Sequence, residues 1–114
     1  MGMDVRFLHR FKCEHCNRDI TRELSYLGKR NPVYHWVLDQ CFYKNKNIVS
    51  EYGDSIIKVE MSLDILEEMF AWVEDSELYA DELCDGYRGI TLGKISTAIL
   101  KSRDGDTIIF QADW

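Results

Sequence analysis

The chain has 114 residues, 46% of them hydrophobic and 12% aromatic, which is enough for one domain with a buried core and too little for two. Its net charge is −6, and no apolar run approaches the roughly 18 residues that a membrane span requires. The first ten residues lack the apolar centre of a signal peptide, and Arg6 stands where a myristoylation signal needs Ser or Thr, so the expected compartment is the cytosol.

In chain order, Asp4–Lys12 alternates loosely through Val5, Phe7 and Phe11 and reads as a strand. Residues 20–27 read as a second short strand or a turn region. Asn31 and Pro32 signal a helix start, with the amide side chain as cap and the proline where its missing N–H costs nothing. That helix is expected to reach Tyr43 or Lys44, with Lys44 and Lys46 favourable to its dipole. Val33, Trp36, Val37 and Cys41 form its core stripe, and His35, Asp39 and Phe42 lie on another side. A loop is expected around Ile48 and Val49, then a β-branched strand over residues 55–60. Ser62 is the expected cap of a second helix over 62–75, whose Leu63, Leu66, Met69, Phe70 and Val73 keep helical spacing. A third helical piece is expected over 77–84, ended by Asp85 and Gly86, and residues 89–93 read as extended. Residues 97–102 and 107–112 flank Asp104-Gly105, a hairpin signal. The expected fold is α+β: one domain over 1–114, with two main helices packed on a small, mainly antiparallel sheet that ends in a C-terminal β-hairpin.

Cys13-Glu14-His15-Cys16 is one half of a zinc-binding pattern, because two thiolates spaced by two residues can reach one tetrahedral ion. A structural zinc site needs two more ligands, and His9, His15, His35, Cys41 and Cys84 are the residues able to supply them. His9, four residues before Cys13, and His35 are the histidines placed in the candidate set with Cys13 and Cys16. Zn2+ is accordingly the one cofactor the sequence suggests. A thioredoxin-like redox role would need the first cysteine at a helix N-terminus inside a βαβ unit, and no such unit is expected here.

The charge is unevenly placed. Residues 1–50 hold nine Lys or Arg against five Asp or Glu, a balance of +4, and residues 51–114 hold five against fifteen, a balance of −10. Eight acids and no base fall between Glu67 and Asp85. Such a field can steer a partner with a basic surface or imitate a phosphate backbone, and Glu74, Asp75, Glu77, Asp81 and Glu82 are the binding residues it nominates. The ordinary role of such a run is a solvated helix face. In the first half, Lys29, Asn31 and His35 are the binding candidates, and Arg6, Arg10, Arg18, Arg22, Lys29 and Arg30 are the side chains from which a basic patch could be built. His35 with Asp39 is a histidine–carboxylate pair without a nucleophile, so no catalytic residue is expected. No phosphate-binding glycine loop, Gly-x-Ser-x-Gly motif or basic, aromatic-interleaved stripe is present, and duplex DNA binding is not expected.

Tyr26, Lys29, Asn31, Val33 and Trp36, followed by Ser62, Leu66 and Met69, resemble a family of small phage and prophage proteins. The family pattern runs Tyr-Trp-Arg-Lys-x-Asn-x-Ile-His-x-Trp-Phe, and then has a Ser-x-x-x-Leu-x-x-Leu helix. The likeness covers residues 23–75, with Leu27, Gly28 and Tyr34 departing from the pattern. It implies a phage or prophage origin, action in the cytosol of a host cell, and no particular chemistry. The function expected is therefore a non-catalytic accessory protein that binds a host or defence component through the acidic surface. The alternatives are a nucleotide-sequestering module using the basic N-terminal half and a zinc-stabilised regulator, and a homodimer is compatible with each.

Overall fold

In the computed structural model of the chain, residues 4–29, 31–40, 49–52, 56–79 and 82–113 are described, with the side chains of 49–52 and 82–87 excepted. The strands β1 (Asp4–Lys12) and β2 (Asp19–Lys29) pair as an antiparallel hairpin. β1 falls where alternation predicts it, and the stretch read as a short strand or a turn region over 20–27 is a strand that runs two residues further at its C-terminal end. A short helix α1 (Val33–Leu38) follows. Then come β3 (Val49–Tyr52), β4 (Ile56–Met61), α2 (Leu63–Asp75), a 3₁₀ turn at Glu77–Tyr79, α3 (Glu82–Arg103) and β5 (Thr107–Asp113). The five strands form one antiparallel sheet in the order β2-β1-β5-β4-β3. The protein is thus an α+β domain with two substantial helices.

Alternation in the central strands sets the two faces of the sheet. Val5 and Phe7 of β1, Ile108, Phe110 and Ala112 of β5, and Ile57, Val59 and Met61 of β4 are buried on one face. Register lines these residues up in rows. Phe7 opposes Phe110, which opposes Val59, and Val5 opposes Ala112, which opposes Ile57. The Phe7 and Phe110 rings meet edge to face, 6.1 Å apart, a favoured aromatic geometry. His9 closes the third row, opposite Ile108 and then Met61. The helices cover this face, with Leu66, Met69 and Val73 of α2 and Ile95 and Ala98 of α3 in the same core cluster.

The other face is a lattice of paired charges. Arg6 donates to Glu23 at 3.2 Å and lies 3.8 Å from Asp113, and Arg10 donates to Glu60 at 3.0 Å. The Tyr26 hydroxyl donates to Asp4 at 2.7 Å, and the Arg6 guanidinium lies over the Tyr26 ring. Bonding to the Asp4 carboxylate, with partial burial and the Asp4 charge, raises the Tyr26 pKa.

Helix starts follow the residues that signal them. The Ser62 hydroxyl accepts from the Ile65 N–H at 3.3 Å, the expected cap. At α1 the Asn31 carbonyl of the side chain accepts from the Val33 N–H at 3.1 Å, and Pro32 precedes the first helical residue. Trp36, Val33 and Val37 are buried as the stripe predicts. Residues 41–48 lie outside the described residues, so the expected extension to Tyr43 or Lys44, and the place of Cys41, fall there too.

The structure departs from expectation at Val49 and across residues 86–106. The loop expected around Val49 is a strand, β3, paired to β4. The C-terminal hairpin is instead a helix-to-strand turn. Residues expected as an extended 89–93 and as a first hairpin strand 97–102 all belong to α3, and Gly86 lies within that helix rather than ending it. Asp104 and Gly105 do make a tight turn, but it caps the helix. The Asp106 N–H reaches back to the Lys101 carbonyl and the Gly105 N–H to that of Ser102, both at 3.1 Å, with Gly105 at φ +102°. This is the glycine-terminated helix end in which a left-handed residue turns the chain out of the helix. A hairpin turn asks for the same positive φ, which is why the dipeptide reads equally well as either.

Candidate functional site

The pairing of β5 with β1 stops at Arg10, opposite Thr107. Beyond it β1 and β2 continue alone through Phe11 opposite Ile20 and Lys12 opposite Asp19, and then turn. This two-stranded arm reaches about 10 Å past the sheet at ~3.3 Å per residue. Residues 14–19 are all exposed.

The turn at the tip of the arm is well defined by hydrogen bonds. The Cys13 N–H donates to the Arg18 carbonyl at 2.8 Å, and the Asn17 N–H donates to the Cys13 carbonyl at 2.9 Å. Asn17 sits at φ +56°, the left-handed region that asparagine tolerates better than most residues. This reversal brings Cys16 back beside Cys13. The backbone N–H of Cys16, then that of His15, then the Cys16 side chain point at the Cys13 sulfur and lower its pKa, with the Arg22 charge adding to the effect and partial desolvation opposing it. Both cysteines are free thiols, Cys13 half-buried and Cys16 exposed.

The inner flank of the arm faces the turn after α3. An open cleft of about 630 Å³ lies between them, lined by His9, Phe11, Lys12 and Glu14 on one side and Lys101, Asp104, Gly105 and Asp106 on the other. His9 Nδ1 lies 3.0 Å from an Asp106 carboxylate oxygen. The His9 and Phe11 rings are 4.9 Å apart, and the Arg22 guanidinium lies over Phe11. Among the described residues, the cleft lining holds a histidine–carboxylate pair and two lysines, with no hydroxyl or thiol.

The residues nominated from the sequence are scattered. Among the described residues, no three His, Cys, Asp or Glu side chains converge in a way that could hold a metal ion. His9 is four strand positions from Cys13, about 13 Å at ~3.3 Å per residue, and is engaged by Asp106. His35 is exposed on α1, beyond the far end of the 11-residue β2, which is about 36 Å long by the same rise. Neither histidine therefore joins Cys13 and Cys16 within this chain. Cys84 lies in α3 seventeen residues before Lys101, about 25 Å up the helix at ~1.5 Å per residue.

Asn31 is not a surface binding residue. It is 3% exposed and forms the hub of a buried network. Its Nδ2 donates to the Leu27 carbonyl at 3.0 Å and to the Thr91 hydroxyl at 2.9 Å, and its Oδ1 accepts from the Val33 N–H and the Tyr79 hydroxyl. The Tyr79 hydroxyl in turn accepts from the Val33 N–H at 3.1 Å. One amide thus ties together the end of β2, the start of α1, the 3₁₀ turn and α3.

The basic residues do not make one patch. Arg6 and Arg10 are neutralised on the outer sheet face, Lys12 is 3.9 Å from Asp19, and exposed Lys29 is at the opposite end of β2 from Arg18. Arg30 lies outside the described residues. Of the acidic run, Glu67 faces Arg103 at 3.5 Å, while Glu74, Asp75 and Glu77 are exposed and have no ion-pair partner among the described residues. Asp81 is outside the described residues, and Glu82 opens α3 with its side chain undescribed. No described helix is long and apolar enough to cross a membrane.

In the sequence the arm is legible only as a cysteine pair. That it stands clear of the sheet depends on where β5 stops pairing, a long-range fact without a local signal. Comparison with protein-family models, with curated proteins and with solved structures finds no match for this chain.

Proposed function

We propose that this protein is a non-catalytic binding protein of the accessory type that phages and prophages encode, acting in the host cytosol and contacting a host or defence protein through its β1–β2 arm. The observation that carries this reading is the arm itself. A two-stranded hairpin is marginal alone in water, and this one buries little of its own surface beyond Arg10. A protein gains no core from such an extension, but it gains a reachable edge and tip. The phage-like pattern over residues 23–75 supports the accessory role.

A second contact surface has its own supporting observation. Glu74 and Asp75 close α2, whose last turn has no base, and carboxylates there oppose the helix dipole. Groups that weaken their own helix suit a surface kept for a basic partner.

One experiment separates the two surfaces. The full chain, an arm-shortened chain with residues 12–19 replaced by an Asn-Gly turn, and a Glu74→Lys/Asp75→Lys chain are used to capture partners from host lysate, and the same captured protein is quantified with each. Loss with the shortened arm and retention with the charge reversal is the expected result. The opposite pattern assigns the contact to the acidic face, and retention by both variants overturns the binding reading of both surfaces.

A further inference from the structure

The tip of the arm has the geometry of a metal-binding knuckle, with half the ligands of a complete site. Cys13 and Cys16 are brought side by side by a turn whose reversal rests on Asn17 at φ +56°. The Asn17 N–H closes this turn on the Cys13 carbonyl at 2.9 Å, so the two cysteines stand three residues apart across one tight turn. Two thiolates leave two positions of a tetrahedral zinc ion open. Among the described residues no third His, Cys, Asp or Glu converges on the pair to fill them: His9 is held by Asp106, and His35 lies beyond the far end of β2.

We propose that Cys13 and Cys16 are one half of a four-thiolate zinc site, completed by the same two cysteines of a second copy of this chain, so that two arms are joined tip to tip. The inference rests on the arm being a contact surface and adds what it contacts at its end. Each of the four thiols gives up its proton to solvent as the zinc–sulfur bonds form.

Sterics and charge both favour the pairing. Glu14, His15, Cys16, Asn17 and Arg18 are all exposed at the tip, so nothing bulky separates two approaching turns. The chain carries −6 overall, which opposes self-association, but that excess lies in residues 51–114. At the tip Lys12 and Arg18 balance Glu14 and Asp19, so two tips meet without net repulsion. A divalent ion with four thiolates has a formal charge of about −2, and Arg22 of each copy, whose guanidinium lies over Phe11 next to the tip, offsets it. Binding the ion also supplies the order that a bare hairpin lacks, because metal-binding free energy at such a site is folding free energy.

The test uses the full chain, reduced and freed of metal, with Zn2+ alone as the probe, and reads zinc content and mass by sedimentation. The expected result is one zinc per two chains and a mass that doubles from 13.4 kDa, both reversed by chelator. Cys13→Ser and Cys16→Ser each abolish zinc uptake and dimer while the thermal midpoint of the monomer holds, because the tip lies outside the core. A Cys41→Ser/Cys84→Ser chain keeps both. Co2+ in place of Zn2+ gives the absorption of a tetrahedral tetrathiolate. One zinc per single chain, no zinc uptake, or a dimer that survives chelation or the Cys13→Ser change overturns the proposal. None of these outcomes depends on a host partner, so failure here leaves the capture experiment to decide the broader reading.

Discussion

Replacing Asn31 with Ala removes the hub of the buried network while leaving every neighbouring backbone in place. Four hydrogen bonds are lost: those to the Leu27 carbonyl and the Thr91 hydroxyl, and those from Val33 N–H and the Tyr79 hydroxyl. Val33 N–H keeps the Tyr79 oxygen, so its loss is small. The other three partners are left short of a bond in a site that is 3% exposed or less. At about 1 kcal/mol net per lost bond, with some extra for buried groups left unpaired, the variant should lose about 3–4 kcal/mol. For a domain of this size that corresponds to a fall in Tm of about 12–16 °C. Urea unfolding followed by tryptophan fluorescence measures the loss directly, and an unchanged slope keeps the comparison valid. Tyr79→Phe and Thr91→Val should each cost about 1–2 kcal/mol, with the double variant non-additive because both groups bond the same amide. If Asn31→Ala costs under about 0.5 kcal/mol, the scale of a plain surface change, water fills the site freely and the network is not what fixes the junction.

Three further outcomes follow from the packing and the tip. Trp36, buried on α1, should be the costliest truncation in that helix, with Trp36→Ala losing about 3–5 kcal/mol in the same unfolding assay; stability retained with partner capture lost would make it a surface anchor instead. Gly89→Ala and Gly93→Ala should each stabilise by about 0.8–1 kcal/mol, since both sites are helical and a methyl group there meets nothing within 4 Å; a lower Tm would show that helix interior to be strained. In metal-free protein, hydrogen bonds to its sulfur hold the Cys13 thiol below its ordinary pKa. Its alkylation rate should therefore rise at lower pH in the folded chain than in urea, and a midpoint equal to or above the unfolded one contradicts the tip geometry.

Local chemistry carries much of the fold, and α3 shows where it stops. Ser62 with its run of Leu66, Met69 and Val73, the alternation of β1 and the Pro32 start of α1 are each signalled within a few residues, and each forms as signalled. Helix α3 holds Gly86, Gly89 and Gly93, residues that cost a helix about 1 kcal/mol each, and apolar Ile90 and Leu100 lie on its exposed side. It has no clean apolar stripe to read. What holds it is tertiary: Ile95 and Ala98 in the core and Thr91 on the Asn31 amide. The same limit governs the sites. Cys13 and Cys16 are legible as a pair because spacing alone brings them together. The burial of Asn31, the separation of His35 from the arm and the coupling of His9 to Asp106 each need contacts across dozens of residues, which no window of sequence contains.

β5, which follows the other four strands in sequence, occupies the middle of the sheet, between β1 and β4. On the ribosome, Phe7 and Val59 therefore wait for Phe110 to emerge before the central row can close. Until then β1 and β4 each present an unpaired inner edge with apolar side chains beside it, the condition in which strands pair with the wrong partner. Folding should accordingly be slow, since the decisive contacts join residues far apart in sequence. Release of nascent chains shortened before residue 107 should yield aggregates or chaperone-bound species rather than a smaller folded domain.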